Sequence, residues 1–330
     1  MSLTQNKSKL LKLLMIFLFA GGLVWMTPET FLRTKVTGSA QGQGRKSGVQ
    51  APAKAKHGPE EYSGSESCRD CHSEKFESLA KTPHARILTM VDKYNQQQGC
   101  ETCHGPGKAH VEGGGDATRI IRFKEEPARE ISQTCLECHS SSQEHNNFLR
   151  GEHGRNDVAC IDCHSLHSAD LSKPKMLAKS EPQLCITCHS EMKVDFTRPF
   201  RHRVMEGAIK CSDCHNPHGG FDQKQLRASN GTDVACLKCH IDKQGPFVFE
   251  HAPLKTEGCT ICHIPHGANN PKMLRRDRVF QLCIECHSNV GTVGGPNTPS
   301  FHNLNSARYQ NCTTCHVKIH GSNTQRFFFR

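Results

Sequence analysis

The cysteines and histidines of this chain are the side chains whose spacing points most directly to chemistry. Residues 259–267 read Cys-Thr-Ile-Cys-His-Ile-Pro-His-Gly. Two cysteines three positions apart, followed directly by a histidine, are the attachment signature of a c-type haem. The thiols of Cys259 and Cys262 can add to the haem vinyl groups, while the imidazole of His263 ligates the iron.

All 20 cysteines of the chain belong to units of this kind, and none is left over. The pattern predicts ten covalently attached haem c groups. The cysteines that would hold them are Cys68, Cys71, Cys100, Cys103, Cys135, Cys138, Cys160, Cys163, Cys185, Cys188, Cys211, Cys214, Cys236, Cys239, Cys259, Cys262, Cys283, Cys286, Cys312 and Cys315. The predicted proximal iron ligands are His72, His104, His139, His164, His189, His215, His240, His263, His287 and His316.

Zinc binding and disulfide formation are the alternative uses of paired cysteines. Zinc ribbons combine two Cys-x-x-Cys knuckles, and nothing in them requires a histidine after each second cysteine. A disulfide framework has no use for that histidine either. Both alternatives leave ten histidines unexplained, so the haem interpretation is favoured.

The other histidines supply a second ligand for each iron. Opposite imidazoles on one iron place their Cα atoms roughly 12 Å apart, and three residues span at most about 11 Å. His266 is therefore expected to reach a neighbouring haem and not the haem of His263. Of the 22 histidines, ten distal candidates recur at similar offsets after the motifs, and His57 and His145 remain over. The ten candidates are His84, His110, His153, His167, His202, His218, His251, His266, His302 and His320.

Two histidines on every iron would leave no open coordination position. Such haems are low-spin, have low reduction potentials and pass electrons without binding a substrate. Methionine is the rival axial ligand, but Met176 and Met273 recur within a Pro-Lys-Met-Leu element, and we assign them to packing. No free cysteine, Ser/His/Asp pattern or nucleotide-binding loop is present. The sequence thus predicts an electron-transfer protein and not an enzyme.

The motifs alternate in their surroundings, which indicates five two-haem modules in a quasi-linear repeat. Odd-numbered motifs have an apolar lead-in, whereas even-numbered motifs are soon followed by another histidine. The predicted fold class is a multihaem cytochrome c with little regular secondary structure. We expect short α-helices and loops wrapped round a haem array, without a significant β-sheet, over residues 65–330.

The first 64 residues differ from the rest in composition. Residues 1–40 combine early lysines with an apolar run over 13–26, which predicts an export signal. An uncleaved anchor is the alternative, although the run is short for a membrane span. Residues 41–64 lack hydrophobic periodicity and are expected to form a flexible leader. Export places the protein in the periplasm, where haem c is attached.

The formal net charge of +10 at first suggests a nucleic-acid partner. Each ferric bis-histidine haem adds about −1 once its propionates ionise. Ten haems would cancel this charge, so no nucleic-acid binding is expected, and many basic side chains are expected to pair with propionates.

Several motifs give the chain a family resemblance. Besides the ten Cys-x-x-Cys-His units, these are Thr82-Pro-His84, Phe249-Glu-His251-Ala-Pro, and the Pro-His-Gly endings at 217–219 and 265–267. In these features the chain resembles the periplasmic decahaem cytochromes of the DmsE/MtrA type. The resemblance implies an elongated wire of bis-histidine haems inserted in an outer-membrane β-barrel porin. Its implied partners are periplasmic or inner-membrane donor cytochromes on one side, and an extracellular cytochrome or terminal reductase on the other.

An outer-membrane conduit for electrons is therefore the favoured function. The alternatives are a soluble periplasmic shuttle to a terminal reductase, a haem filament, and a multihaem reductase or oxidase with one open haem. The terminal Phe327-Phe328-Phe329 is an unusual feature. It is expected either to bind a partner or to fold onto the last haem.

Overall fold

The computed structural model describes residues 57–90, 99–167, 170–227, 234–288, 290 and 302–330. These residues lie in one compact unit that spans Gly44–Arg330. All ten motifs and all ten predicted distal histidines fall within them. The predicted export signal and residues 41–56 of the leader lie outside the described residues, and residues 57–64 contain one turn of 3-10 helix, Pro59–Glu61.

Short helices are the main regular structure of the described residues. The α-helices are α1 (Ser65–Ala80), α2 (Glu101–His104), α3 (Lys108–Glu112), α4 (Ala128–His139), α5 (Glu152–Arg155), α6 (Cys160–Cys163), α7 (Ser190–Asp195), α8 (Cys211–Cys214), α9 (Val234–Leu237), α10 (Pro253–Thr256) and α11 (Val279–Ile284). The 3-10 turns after the leader are Pro83–Leu88, Ala117–Arg119, Phe148–Arg150, Pro174–Met176, Cys185–Thr187, Gln223–Gln225, Ile241–Lys243, Cys259–Ile261, Pro271–Met273, Ala307–Tyr309 and Cys312–Thr314.

Extended structure in the described part of the chain is confined to isolated bridges. They pair His164 with Leu177, Phe200 with Ala268, His215 with Leu226, Phe249 with Ser322, and His263 with Leu274. The predicted fold class of short helices and loops without a sheet is confirmed. None of the helices in these ranges is both long and apolar enough to cross a membrane.

Each haem motif folds as one helical turn. The backbone N–H of the motif histidine donates to the carbonyl of the first cysteine, at 2.9 Å for His164 and Cys160 and 2.9 Å for His287 and Cys283. Side chains at positions i, i+3 and i+4 of such a turn point to the same side. The spacing of the motif therefore presents two thiols and one imidazole together.

The fourth and sixth motifs begin with a side-chain cap and end in an extended residue. In α6, the Asp162 side chain accepts the backbone N–H of Ala159 at 2.7 Å, which satisfies a free donor at the start of the turn. His164 then leaves the helix with extended backbone angles and pairs with Leu177. Asp213 and His215 repeat this arrangement around α8.

Among the described residues, side-chain packing forms a small core cluster. Ala128, Ile131 and Ala159 are buried together, with Phe123 and Ile161 packed against them. Such a cluster is small for a chain of this length. Haems in the motif sites would supply the apolar surface around which the remaining segments pack.

Successive modules contact each other where the Pro-His-Gly elements lie. Phe200 and Ala268 exchange two backbone hydrogen bonds, of 3.1 and 2.8 Å. Gly267 has a φ of 152°, and a side chain on it would collide with the backbone oxygen of Asp195. Glycine is thus required here by the close approach of the upstream module.

Candidate haem-binding sites

The motif histidines and the predicted distal histidines face each other in pairs. Imidazoles on opposite sides of one iron have ring centres about 6 Å apart, because each metal–nitrogen bond is about 2 Å and each nitrogen lies about 1 Å from its ring centre. Every motif histidine has one such partner among the ten candidates. The pairs are His72–His110 at 6.4 Å, His104–His167 at 6.0 Å, His139–His84 at 5.9 Å, His164–His218 at 6.1 Å, His189–His153 at 6.1 Å, His215–His266 at 6.0 Å, His240–His202 at 6.3 Å, His263–His320 at 6.3 Å, His287–His251 at 6.3 Å and His316–His302 at 6.3 Å.

The pairs follow one rule between modules. Even-numbered motifs face a histidine of the next module, as His164 faces His218. Odd-numbered motifs face a histidine of the preceding module, as His189 faces His153. Two histidine pairs therefore cross each boundary between modules, one with its motif histidine upstream and the other with its motif histidine downstream. Only the first and last motifs, those of His72 and His316, face a histidine of their own module.

Hydrogen bonds at Nδ1 orient several of these rings toward their partners. An imidazole whose Nδ1–H donates to a carbonyl has its Nε2 lone pair available for a metal. The acceptors are backbone oxygens: Ile121 for His104, Asp116 for His110, Pro217 for His153, Lys175 for His164, Pro265 for His202, Lys224 for His215, Lys272 for His263 and Phe327 for His316. The distances from Nδ1 to the carbonyl oxygen range from 2.5 Å for His316 to 2.9 Å for His110.

Burial keeps many of the distal histidines neutral, as metal ligation requires. It lowers the pKa of His218 to about 4, with the nearby His145 adding to the effect. Burial also lowers the pKa of His320 to about 4. The same cause lowers the pKa of His84, His167, His251 and His266.

The motif cysteines bring consecutive units together. Within a module, the first thiol of one motif contacts the first thiol of the next, as Cys68 contacts Cys100 and Cys283 contacts Cys312. The hydrogen bond from Cys68 lowers the pKa of the Cys100 thiol to about 6. These values describe free thiols, and thioether bonds to haem would abolish the titration.

Cysteines also influence each other electrostatically across module boundaries. Burial raises the pKa of the Cys163 thiol to about 11, and Cys188 of the following motif contributes to the rise. Cys262 and Cys286 are related in the same way. The cysteines of these consecutive motifs are thus close enough to affect each other's pKa. Glu181, Cys185 and Cys211 form a cluster that could hold a metal ion, but its two cysteines belong to haem motifs.

The two leftover histidines differ from the paired ones. His57 hydrogen bonds to Glu61 at 2.8 Å near the surface. The ring of His145 lies 5.8 Å from His139 and 4.3 Å from His218, between the ligand candidates of two consecutive motifs. Two backbone hydrogen bonds, from the N–H of His145 to the oxygen of Ser142 and from the N–H of Ser142 to the oxygen of His139, connect His145 to its own motif through consecutive turns.

The carbonyl acceptors are the part of the site that the sequence did not predict. Three of them belong to the repeated turns at Pro174–Met176, Gln223–Gln225 and Pro271–Met273. The Pro-Lys-Met-Leu repeat was visible in the sequence, but the oxygen of its lysine is the atom that contacts the motif histidine. An offset of 9 or 11 residues from the motif histidine is the signal that could have identified it.

Comparison with known proteins places these sites in a wider group. The model of the doubled CXXCH motif matches residues 153–194, 202–245 and 251–292. The model of the NrfB-like cytochrome c-type protein matches residues 100–172. The multiheme cytochrome MtrA of Shewanella baltica is 35% identical over 288 residues, which cover 83% of this chain and 84% of that protein.

Two further proteins are more distant. The cytochrome c-type protein NrfB of Escherichia coli is 32% identical over 104 residues, covering 30% of this chain and 52% of that protein. An undecaheme cytochrome from the S-layer of Carboxydothermus ferrireducens is 20% identical, covering 72% of this chain and 33% of the other. Its TM-score of 0.13 is too low for a structural argument.

Proposed function

Because this chain belongs to the family of the multihaem cytochrome MtrA, we propose that it binds ten haem c groups and conducts electrons along them across the outer membrane. It is a multihaem c-type cytochrome that transfers electrons. The proposal concerns the number of haems, their ligands, and the route that the electrons take.

One observation supports the electron-transfer proposal most strongly. Each of the ten motif histidines faces a second histidine at the separation that a shared iron would require, as in His263–His320 at 6.3 Å. A haem held between two imidazoles has no position for a substrate. The residues present thus fit ten closed haems, and they favour transfer over catalysis.

The chain's own residues have three roles in this proposal. The motif cysteines fix each haem covalently, and the motif histidine and its partner hold the iron from the two faces. Backbone oxygens such as that of Lys272 orient the motif histidine through its Nδ1–H, 2.8 Å away in the case of His263. Such an acceptor also raises the basicity of the imidazole, which favours ferric iron and lowers the reduction potential.

The order of the motifs supports conduction from one end of the array to the other. Cys68 and Cys100 are in contact, and the pKa of Cys135 is raised by its contact with Cys160, by burial and by the nearby Cys103. Haems attached at these cysteines would be close neighbours in sequence order. Bound in this way, they would pass electrons between adjacent irons.

We further propose that the protein is periplasmic and associates with an outer-membrane β-barrel porin. Donors would be periplasmic or inner-membrane cytochromes, and the acceptor an extracellular cytochrome or a terminal reductase. This part of the proposal rests on membership of the MtrA family and on the export segment expected at residues 1–40.

The haem count and ligation can be tested on the purified holoprotein. Intact mass should equal the exported chain plus ten haems. Electron paramagnetic resonance should show only low-spin ferric haem, and the reduced protein should bind no carbon monoxide. A high-spin signal from a full haem equivalent would contradict closed ligation and would favour a reductase.

The route across the membrane needs a separate experiment. The tagged protein should co-purify with a β-barrel partner, and the complex in liposomes should transfer electrons from an external reductant to an enclosed acceptor. Liposomes with the barrel protein alone are the control. A monomer that fills its ten haems but never associates with a barrel protein would support the shuttle alternative instead.

A further inference from the structure

A two-residue turn recurs beside the motif histidines of three even-numbered units. In each turn, the backbone oxygen of a lysine accepts the Nδ1–H of the histidine, and the lysine has a left-handed φ. The three pairs are His164 with Lys175 at 2.9 Å and φ 58°, His215 with Lys224 at 2.9 Å and φ 54°, and His263 with Lys272 at 2.8 Å and φ 57°. Left-handed angles are sterically unfavourable for residues other than glycine. The repetition therefore indicates a function for the turn.

The tenth motif makes the same contact with a segment of different sequence. Its histidine, His316, donates instead to the backbone oxygen of Phe327 at 2.5 Å. The two residues are 11 positions apart, which is the same offset as between His164 and Lys175. The C-terminal tail, defined here as Phe327–Phe329, thus occupies the place of the turn in the other modules.

The backbone of the tail is held in the same way as the earlier turns. The N–H of Lys318 donates to the oxygen of Phe328 at 2.8 Å, as Ser165 donates to Met176 at 2.9 Å. Phe328 has a φ of 57°, so it keeps the left-handed conformation of the second turn residue, such as Met176 with φ 54°, whereas Phe327 is not left-handed. These contacts form although the sequence of the tail differs from the lysine-containing turns.

The aromatic rings of the tail contact the ligand candidates of two consecutive motifs. The ring of Phe329 lies 4.9 Å from that of His316, and the ring of Phe328 lies 5.6 Å from that of His251. His251 in turn faces His287 of the ninth motif. Phe327 and Phe329 remain 52% and 43% exposed, so burial of these side chains does not account for the position of the tail.

From these contacts we propose that the C-terminal tail is a positioning element for the tenth haem site. Its Phe327 oxygen fixes the orientation of His316 and polarises the imidazole toward the iron, as the turns do in the other modules. The inference rests on the proposed haem ligation by His316 and His302. Loss of such a partner weakens a metal–histidine bond by about 10–100-fold.

Two substitutions of Phe328 distinguish the effect of the tail's backbone conformation from the effect of its aromatic side chain. Phe328→Pro cannot adopt the φ of 57° and loses the N–H that donates to Gln325. Phe328→Gly accepts that φ readily and keeps the N–H. Both variants lose the ring beside His251, so a difference between them cannot come from the loss of this ring contact.

Carbon monoxide binding to the reduced holoprotein is the readout, with intact mass as the check that ten haems are attached. We expect the proline variant to bind up to one carbon monoxide per molecule and to show a matching high-spin ferric signal. The glycine variant should bind no carbon monoxide, like the unaltered protein. The potential of one haem in ten should rise in the proline variant alone.

The outcomes distinguish this inference from the function on which it rests. If the unaltered protein itself binds carbon monoxide, the proposed ligation of every iron by two histidines is wrong, whatever the tail does. If the proline variant carries ten haems and remains closed, the inference is wrong. If both variants open equally, the ring of Phe328 holds the site and the backbone contact does not.

Discussion

The imidazole of His266 faces that of His215, with ring centroids 6.0 Å apart, although the two belong to different modules. His266 follows the eighth motif, whereas His215 belongs to the sixth. The short reach between His263 and His266 already excluded a shared iron, and the fold directs His266 to the preceding module. The proposed ligation thus crosses the same module boundary that the backbone pair of Phe200 and Ala268 joins.

Replacement of His266 should open one haem and leave the other nine closed. We expect His266→Ala to retain ten haems, because the cysteines hold them, and to bind about one carbon monoxide per molecule when reduced. His266→Met should remain low-spin but raise the potential of one haem, since methionine is the weaker donor to ferric iron. Intact mass, carbon monoxide titration and redox titration check these outcomes. An alanine variant with no open haem would contradict the assignment of His266.

The third motif offers a choice between two histidines. His84 and His145 lie at similar distances from His139, 5.9 and 5.8 Å between ring centroids. We assign the iron to His84, because His84 is one of the ten histidines that recur at similar offsets after their motifs, whereas His145 is not. His84→Ala should therefore create one site for carbon monoxide, and His145→Ala should create none. The reverse result would exchange the two assignments.

The predicted number of haems and the set of candidate ligands come from counting in the sequence, but the histidine pairs could not be predicted in this way. The ten motifs consume every cysteine, and ten distal histidines recur at similar offsets. Which imidazole faces which depends on how modules dock, and docking uses backbone pairs such as Phe200–Ala268. Backbone pairs of this kind have no side-chain signature, and spacing alone could not reveal them.

The carbonyl oxygens that accept from the motif histidines could not be predicted for a related reason. A carbonyl oxygen is present at every residue, so its role appears only once the chain has folded. Lys175 and Phe327 have dissimilar side chains but offer the same atom to a motif histidine. The apolar Phe327–Phe329 run was conspicuous in the sequence, and the contacts of its rings with His316 and His251 agree with a tail folded onto the last sites.

Gly267 should be essential for the position of His266. An added side chain would collide with the backbone of Asp195, which belongs to the upstream module. We expect Gly267→Ala to displace His266 and to produce part of the carbon monoxide binding seen with His266→Ala. Gly207→Ala is a matched control, because Gly207 also has a positive φ, of 79°, but nothing lies within 4 Å of the added carbon. Equal effects of the two variants would attribute the loss to backbone strain and not to module docking.

The ion pair between Glu144 and Arg227 should contribute to stability in a pH-dependent way. Arg227 contacts both carboxylate oxygens, at 2.9 and 3.1 Å, and also donates through Nε to the backbone oxygen of Ser212 at 2.6 Å. The hydrogen bond from Arg227 lowers the pKa of Glu144 from the usual 4.5, with partial burial opposing it and the charges of Arg227, His218 and Lys175 adding to the decrease.

Because folding lowers this pKa, the stabilisation is complete well above pH 4.5 and is lost as the pH falls through the folded-state value. The Glu144 side chain is 51% exposed, so solvent screening limits the effect to about 0.5 kcal/mol. Glu144→Gln should therefore lower the urea midpoint at pH 7 and match the unaltered protein at about pH 3. Glu152→Gln is the control, since its pair with Arg155 is 4.0 Å long and largely exposed. A destabilisation by Glu144→Gln that persists undiminished in acid would mean that packing, and not charge, is responsible.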